Sequence, residues 1–335
     1  MEAATAWGTV RLDGDEVLEV LDDILDRQVP FSVGRQAFRT RLHRSIAQRL
    51  EARRGDAAPD AADLEADLRR NRPFQTALWR MWPTLSAPAL VRRLLTNRNF
   101  VRASAEGIFE GDERRQLERR AARKLDDESW TVAELVLVDE AEAAIGGPPR
   151  AYGHVVVDEA QDLSAMEFRV LARRCPSRSM TVLGDLAQAT APGAQRSWDE
   201  VLAHLGSPAT AELTELDLGY RVPAPILDFA NRLLPVAAPG LTPARSVREV
   251  GVPPTVLAVP SADLVGHVTR VAAERAARWP SVGVIVPDGL YGAVGSHLDG
   301  TTAAGGLTGT TLLHPAEAKG LEFDSVVVAE PSLGG

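Results

Sequence analysis

Apolar residues recur at helical spacing through the first 150 residues of the chain. In two stretches, 13–27 and 34–53, the apolar positions fall on one helical face, and the first stretch opens with an acidic turn. The same pattern predicts further helices over 60–70, 73–82, 86–95 and 111–125. We therefore expect residues 1–150 to form a mostly helical block.

From residue 150 onward, short β-branched runs alternate with helical patterns. Strands are predicted over 155–157, 180–183, 255–259, 281–286, 309–313 and 325–329. Helices are predicted between them, over 164–174, 197–205, 224–234, 262–278 and 289–298. Strands that alternate with helices at this spacing indicate βαβ units and parallel sheets, so the predicted fold class is α/β.

Two acids follow the first of these strands. Val155 to Val157 is a continuous apolar run, which predicts a strand buried on both faces, and Asp158 and Glu159 come directly after it. Parallel sheets bind ligands at the carboxyl ends of their strands. One carboxylate there could hold magnesium through water and the other could orient a water for attack on a phosphate. An acidic helix N-cap explains the same two residues equally well.

A near copy of that pattern lies at Leu137-Val138-Asp139-Glu140-Ala141. Its apolar spacing continues helically to Ile145, and it lacks the Gln-Asp pair that follows the first pattern. We therefore expect a helix over 130–145 that packs on the core, ended by the Gly-Gly-Pro-Pro break at 146–149.

Composition and charge narrow the class of protein. The chain has 335 residues, 45% hydrophobic and 25% charged, which is ordinary for a globular protein of two or three domains. With no long apolar run and no leader pattern, we expect a cytoplasmic location and no membrane contact. The single cysteine, Cys175, excludes an internal disulfide and a cysteine-based zinc site, and the six histidines show no ligand spacing.

The net charge of −9 argues against a broad nucleic-acid surface, but it leaves a local basic groove possible. The stretch from Arg114 to Lys124 is the basic candidate. It could meet a phosphate backbone or an acidic partner, although a solvated helix face explains the same charges better.

Four short motifs occur in a fixed order along the second half of the chain. They are Asp-Glu-Ala-Gln-Asp at 158–162, Gly-Asp-Leu-Ala-Gln at 184–188, Gly-Tyr-Arg at 219–221 and Ala-Lys-Gly-Leu-Glu-Phe-Asp at 318–324. In this order they resemble motifs II to V of superfamily-one helicases of the UvrD/Rep type. The resemblance is greatest to the HelD-like branch, bacterial ATPases that bind RNA polymerase and remodel stalled complexes. It covers about residues 130–335 well and the first 130 loosely.

The resemblance implies two RecA-like parallel-sheet domains of the P-loop NTPase type, both partial. The first would be 151–235 and the second 255–335, with a linker at 236–254 and the helical block 1–150 in front. ATP and Mg²⁺ would be the cofactors. DNA, RNA polymerase or both would be the partners.

The first two motifs imply roles for five residues. By the resemblance, Asp158 would bind magnesium through water and Glu159 would activate the hydrolytic water. Gln161 and Gln188 would sense the γ-phosphate, and Asp185 would position the loop that carries Gln188. These roles agree with the electrostatics that phosphoryl transfer requires.

The last two motifs imply roles for five more. Tyr220 would stack on adenine, because an aromatic plane offers any base a stacking surface. Arg221 would neutralise charge on the transferring phosphoryl group, since a guanidinium matches phosphate oxygens in a bidentate manner. Glu322 would contact the ribose. Lys319 and Gly320 would shape the loop that joins nucleotide to nucleic acid.

Three features depart from the family pattern. The phosphate-binding sequence Gly-x-x-x-x-Gly-Lys-[Ser/Thr] does not occur, because the only lysines are Lys124 and Lys319. The last family motif is expected after strand 325–329 and does not appear before residue 335. Ala316 stands where relatives place a histidine or arginine.

The leading expectation is therefore an incomplete helicase-type motor that, as an isolated chain, hydrolyses ATP poorly or not at all. The alternative is a non-catalytic scaffold that binds RNA polymerase or nucleic acid through its helical block. Glu159 and Arg221 count against the scaffold, since a scaffold needs neither of them. An unrelated magnesium phosphohydrolase does not explain the motif order.

Overall fold

A computed structural model describes residues 1–206, 210–302 and 309–331. The chain is mixed α/β, with small parallel sheets, and divides into two compact units, Met1–Leu213 and Thr214–Gly335. The first unit thus joins the helical block to the strands of the first two motifs. The finer division predicted at 150, 235 and 254 stays a prediction. Within the described ranges, no helix is long and apolar enough to cross a membrane.

The first unit opens with a β-hairpin that the apolar pattern did not predict. Strand β1 (Glu2–Thr5) pairs antiparallel with β2 (Gly8–Arg11). Of these eight residues only Ala3 and Val10 are buried, so the hydrophobic signal is too weak to identify a strand. Helices α1 (Gly14–Leu25) and α2 (Phe31–Arg54) follow and confirm the first two predicted helices.

Five further helices complete the front of this unit. They are α3 (Ala61–Arg70), α4 (Arg72–Met81), α5 (Ala87–Thr96), α6 (Arg98–Ser104) and α7 (Gly111–Leu117). The hairpin and α1 to α4 enclose one core, in which Phe38 and Phe74 are fully buried. The predicted helix over 111–125 is wrong beyond Leu117, because Arg119 turns inward to pair with Glu128 and Glu134.

A βαβ unit forms the rest of the first unit. Helix α8 (Val132–Gly146) precedes β3 (Val155–Val157), α9 (Ala165–Arg174), β4 (Met180–Val182) and α10 (Trp198–Leu205). Strands β3 and β4 are parallel, with Val155 opposite Met180. Thr131 and Glu134 cap the start of α8 reciprocally, and the helix expected over 130–145 is confirmed. Its expected packing on the core is wrong, because among the described residues of α8 Glu134 alone is buried, and the apolar residues Val132 and Leu135 are 70% and 51% exposed.

Strand β3 is not buried on both faces, as its three valines predicted. Val157 is 8% exposed and packs with Phe168 of α9 and Val201 of α10, whereas Val156 is 65% exposed. Successive side chains of a strand point to opposite faces. In the described part of the unit, helices therefore cover one face of this sheet, and Val156 lies on the other.

The second unit contains two small parallel sheets. Its elements are β5 (Leu218–Gly219), α11 (Ala224–Ala230), α12 (Leu234–Ala237), β6 (Arg245–Ser246), α13 (Leu264–Ala276), β7 (Val282–Ile285), α14 (Asp288–Thr302), β8 (Thr310–Leu313) and β9 (Ser325–Val328). Strand β7 lies between β8 and β9, parallel to both. Val282, Val284 and Val286 are fully buried beneath α13 and α14.

Two secondary-structure predictions in this unit differ from the structure. Residues 255–259 form no strand where the structure describes them, and Val256 is 74% exposed there. The helix predicted over 224–234 ends at Ala230. The predicted linker, 236–254, includes β6, which pairs in parallel with β5. A β-branched run alone does not make a strand, because a strand also needs a partner for its backbone groups.

Candidate functional site

The first motif places two carboxylates just beyond β3. Asp158 and Glu159 are both exposed, and the Glu159 N–H donates to Asp158 Oδ1 at 2.9 Å. Glu159 has φ 53° and ψ 38°, a left-handed conformation that costs a non-glycine residue on the order of 1 kcal/mol. This conformation turns the chain sharply into one helical turn, Ala160–Asp162, so both carboxylates remain at the strand end.

Gln161 connects this strand end to the next one. Its side chain is 1% exposed. Its Nε2 donates to Glu159 Oε2 at 2.6 Å, and its Oε1 accepts the Asp185 N–H at 3.1 Å. Gly184 allows the Gln161 side chain to lie close to the backbone of the next loop, because a Cβ at position 184 would lie 2.7 Å from Gln161 Oε1. The buried amide thus fixes the Glu159 carboxylate relative to the loop after β4.

The loop after β4 is held by two aspartates. Asp185 accepts the Ala187 N–H at 3.0 Å through Oδ1 and the Gln188 Nε2–H at 2.7 Å through Oδ2. Asp162 accepts the Thr190 N–H at 2.9 Å. All five residues predicted from the first two motifs therefore lie at the neighbouring carboxyl ends of two parallel strands, where this fold class binds ligands.

The second unit brings together two of its five predicted residues. Arg221 Nη1 lies 2.7 Å from Glu322 Oε1, and both side chains are about two-thirds exposed. An ion pair this exposed contributes roughly 0–1 kcal/mol, so a ligand could open it at little cost. Tyr220 is 70% exposed beside it in the chain, and Lys319 and Gly320 lie in a turn where Gly320 has φ 74°.

The near copy at 137–141 has a structural role. Asp139 pairs with Arg173 and Arg174, and Glu140 pairs with Arg169 and Arg173. These contacts join α8 to α9. Burial alone would raise the pKa of Glu140, but hydrogen bonds from Arg169 and Arg173 outweigh it and hold that pKa below its ordinary value.

Sequence reasoning missed a third group, at the ends of β7 and β8. His314 Nδ1 lies 2.7 Å from Asp288 Oδ1, and its ring stacks on Tyr291 with centroids 3.8 Å apart. Asp288 and His314 both follow predicted strands within three residues. This position just after a predicted strand is the sequence signal that identifies Asp288 and His314 as candidate site residues.

Comparisons with known proteins add no family assignment. No protein-family model matches the chain, and no curated protein matches it. The four ordered motifs and the geometry of the strand ends therefore carry the functional argument by themselves.

Replacing Gln161 by leucine should loosen the first strand-end group while leaving the core filled. The variant removes the partner of the Asp185 N–H in a partly buried hydrogen bond, which we expect to lower the free energy of unfolding by about 1–2 kcal/mol. Faster amide exchange at Asp185 would report the loosening. Gln188→Leu, at an exposed position, is the control and should change stability little. Equal effects of the two variants would show that the buried bridge does not matter.

Proposed function

We propose that the chain carries the central motifs of an ATP-dependent helicase-type motor, built on RecA-like domains and related to the HelD-like branch. Its role would be the remodelling of RNA polymerase or nucleic-acid complexes. The observation that carries the proposal is the buried Gln161 amide, which couples the Glu159 carboxylate to the loop of Asp185 and Gln188. A motor needs such a coupling, because what happens at one strand end must be transmitted to the next.

The first strand-end group fits a magnesium nucleotide. Oδ1 of Asp158 accepts the Glu159 N–H, and Oδ2 has no partner among the described residues, so it is available to a hydrated cation. No group of three His, Cys, Asp or Glu side chains in those residues could enclose a metal. Mg²⁺ would therefore be held jointly by Asp158, water and phosphate oxygens, and it would supply charge neutralisation on the phosphates.

Glu159 would act as the base that orients water. Its carboxylate is exposed on one side and receives the Gln161 amide at 2.6 Å on the other, which limits its rotation. Positioning of this kind is a large part of catalysis in phosphoryl transfer. In the second unit, Arg221 would stabilise phosphoryl charge after release from Glu322, and Tyr220 would offer its exposed ring to the base.

We predict that the 335-residue chain turns over ATP slowly or not at all, because it contains no Gly-Lys-[Ser/Thr] sequence to cradle the phosphates. Phosphate release should be measured with Mg²⁺ and single-stranded DNA, with Glu159→Gln as the blank. Steady turnover above that blank would contradict this prediction.

Nucleotide binding tests the proposal separately from turnover. A fluorescent ATP analogue should bind weakly, and its binding should require Mg²⁺ and weaken in Asp158→Ala and in Arg221→Ala. As a control, Asp112→Ala removes an exposed acid from α7, a helix without motif residues. If no analogue binds, or if Asp158→Ala and Arg221→Ala bind it as the wild type does, the proposed function fails.

One observation favours the second candidate, a non-catalytic scaffold. Arg221 and Glu322, which the motor would use on the nucleotide, are paired with each other. A scaffold would capture RNA polymerase whatever the state of these residues. Capture that survives Glu159→Gln and Arg221→Ala, together with an absence of nucleotide binding, would establish the scaffold instead.

A further inference from the structure

Positive charge is strongly segregated in the first unit. Residues 68–105 contain eight arginines and no acidic residue. Because the whole chain carries −9, the remaining residues carry −17. Three of the eight arginines pair with acids outside the segment, Arg69 with Glu65, Arg92 with Glu128 and Arg98 with Glu118. The other five have no ion pair among the described residues, and local basic surfaces are typical of polyanion binding. The segment spans the end of α3 and all of α4, α5 and α6.

Helix α4 has two chemically distinct faces. Its inward face carries Phe74 and Leu78, both fully buried. Its outward face, which we name the α4 face, consists of Arg72, Thr76, Trp79 and Arg80, all exposed. At 3.6 residues per turn these four positions fall within an arc of about 100°. The helix contains no acidic residue to balance the two arginines.

Trp79 lies outside the hydrophobic core of this unit. It is 58% exposed, whereas Trp82, three residues later, is 5% exposed and packs against Phe31 and Phe38. Large exposed aromatic side chains are enriched at binding surfaces, where their planes give contact area at low entropic cost. Trp82 thus belongs to the core, whereas Trp79 is exposed to solvent.

The arginines around Trp79 are not neutralised. Arg70, Arg72 and Arg80 form no ion pair with any residue that the structure describes. The nearest preceding acids are engaged elsewhere: Glu65 pairs with Arg69, and Asp67 accepts the Ala6 N–H at 3.2 Å. The positive charge of this surface is thus available to an external anion.

We propose that the α4 face binds single-stranded nucleic acid, with Trp79 stacking on a base and Arg72 and Arg80 pairing with phosphates. Trp79 lies between Arg72 and Arg80 along the helix axis, so a single strand could bring a base to the indole and phosphates to the two guanidinium groups. An acidic peptide without aromatic residues would pair with the arginines but would offer the indole no ring to stack on. The inference does not rest on the proposed nucleotide site, so it is tested without nucleotide.

The test is fluorescence anisotropy of a labelled 20-residue oligothymidine with the full chain at several salt concentrations. Base stacking of this kind contributes about 1–3 kcal/mol, so Trp79→Ala should weaken binding about 5- to 150-fold, while Trp79→Tyr should retain most of it. The double variant Arg72→Ala, Arg80→Ala should reduce the slope of log affinity against log salt by about 1.4, or 0.7 per phosphate contact.

Matched controls come from elsewhere in the chain. Trp279 is 44% exposed in the second unit, and Arg44 is exposed on α2. Alanine at either position should leave oligothymidine binding unchanged, and thermal unfolding should show that every variant folds. Oligothymidine affinity unaffected by Trp79→Ala overturns the proposal. Loss of polyglutamate binding in the α4 variants without loss of oligothymidine binding also overturns it, since the face would then serve an acidic protein.

Discussion

Replacing Asp139 and Glu140 by asparagine and glutamine should lower the free energy of unfolding of the first unit by roughly 2–4 kcal/mol. The same exchange at Asp158 and Glu159 should change it by less than about 0.5 kcal/mol. Both pairs read Val-Asp-Glu-Ala in the sequence. The difference arises because Arg173, 16% exposed, is held by the first pair and would be left as a nearly buried, unpaired charge.

Urea unfolding at pH 7 measures both variants on the same scale. The dependence of stability on acidic pH gives a second readout, because the pKa of Glu140 is lowered in the folded state. Its ion pairs therefore stabilise the wild type above the unfolded pKa of about 4.3, and this contribution is lost as the pH falls through the lower folded value. The variant with Asp139→Asn and Glu140→Gln has no such ion pairs, so its stability should not fall in this way as the pH is lowered. Equal destabilisation by the two exchanges would contradict the separate roles assigned to the two pairs.

The two Val-Asp-Glu-Ala sequences could be distinguished from local pattern alone. Around Asp139 the apolar spacing stays helical on both sides, and Thr131 with Glu134 forms a capping box. Before Asp158 the run is β-branched, and it follows a Gly-Pro break. Secondary structure was therefore predictable there, because local propensity and tertiary structure agree.

Burial of the strands was not predictable in the same way. Val155 to Val157 has the composition of a strand covered on both faces, yet Val156 is 65% exposed. An apolar composition shows that a strand can be buried on both faces, but its actual burial depends on which other elements pack on it. The same reason explains residues 255–259, where a strand-like run has no partner strand in the described ranges.

For the candidate site, the placement of the motif residues was predictable and their contacts were not. The family resemblance assigned Asp158 and Asp185 to one nucleotide site, and the structure places both at the neighbouring carboxyl ends of β3 and β4. The Gln161 bridge and the Arg221–Glu322 ion pair depend on side-chain directions across 24 and 101 positions of sequence. Spacing along the chain carries no information on such directions.

The position of unpaired positive charge was the property that the sequence predicted least well. The stretch from Arg114 to Lys124 was the basic candidate, with a solvated helix face as the favoured explanation of its charges. In the structure Arg115 pairs with Asp112 and Arg119 turns inward. The α4 face is the better basic surface, because Arg72 and Arg80 form no ion pair with any residue that the structure describes. A count of arginines is misleading where acids lie one helical turn away, because neighbouring opposite charges pair.

Arg119→Met should destabilise the first unit by roughly 2–3 kcal/mol. Arg119 Nη1 lies 2.6 Å from Glu128, whose side chain is 1% exposed, and Nε pairs with Glu134. This loss of stability is smaller than the roughly 3–5 kcal/mol expected for breaking a fully buried ion pair, because Arg119 itself is 28% exposed. Methionine keeps the length of the side chain, so the loss measures charge rather than volume.

Arg115→Met, four residues earlier, is the matched control. Its partner Asp112 is 82% exposed, so the change should stay below about 0.5 kcal/mol. The hydrogen bond from Arg119, against burial, lowers the pKa of Glu128 in the folded state. Without Arg119 that pKa should rise, and the variant should lose less stability than the wild type as the pH falls below about 4.3.

A double variant would show why Arg119 matters. If the cost comes from carboxylates left without a counter-charge, then Arg119→Met combined with Glu128→Gln should regain part of the lost stability. If the cost comes instead from the cation–π contact of Arg119 with Trp130, at 5.5 Å, the second substitution should regain nothing. The described contacts favour the first outcome, because Arg92 would still bind the glutamine side chain and the Ala122 N–H would still have an acceptor.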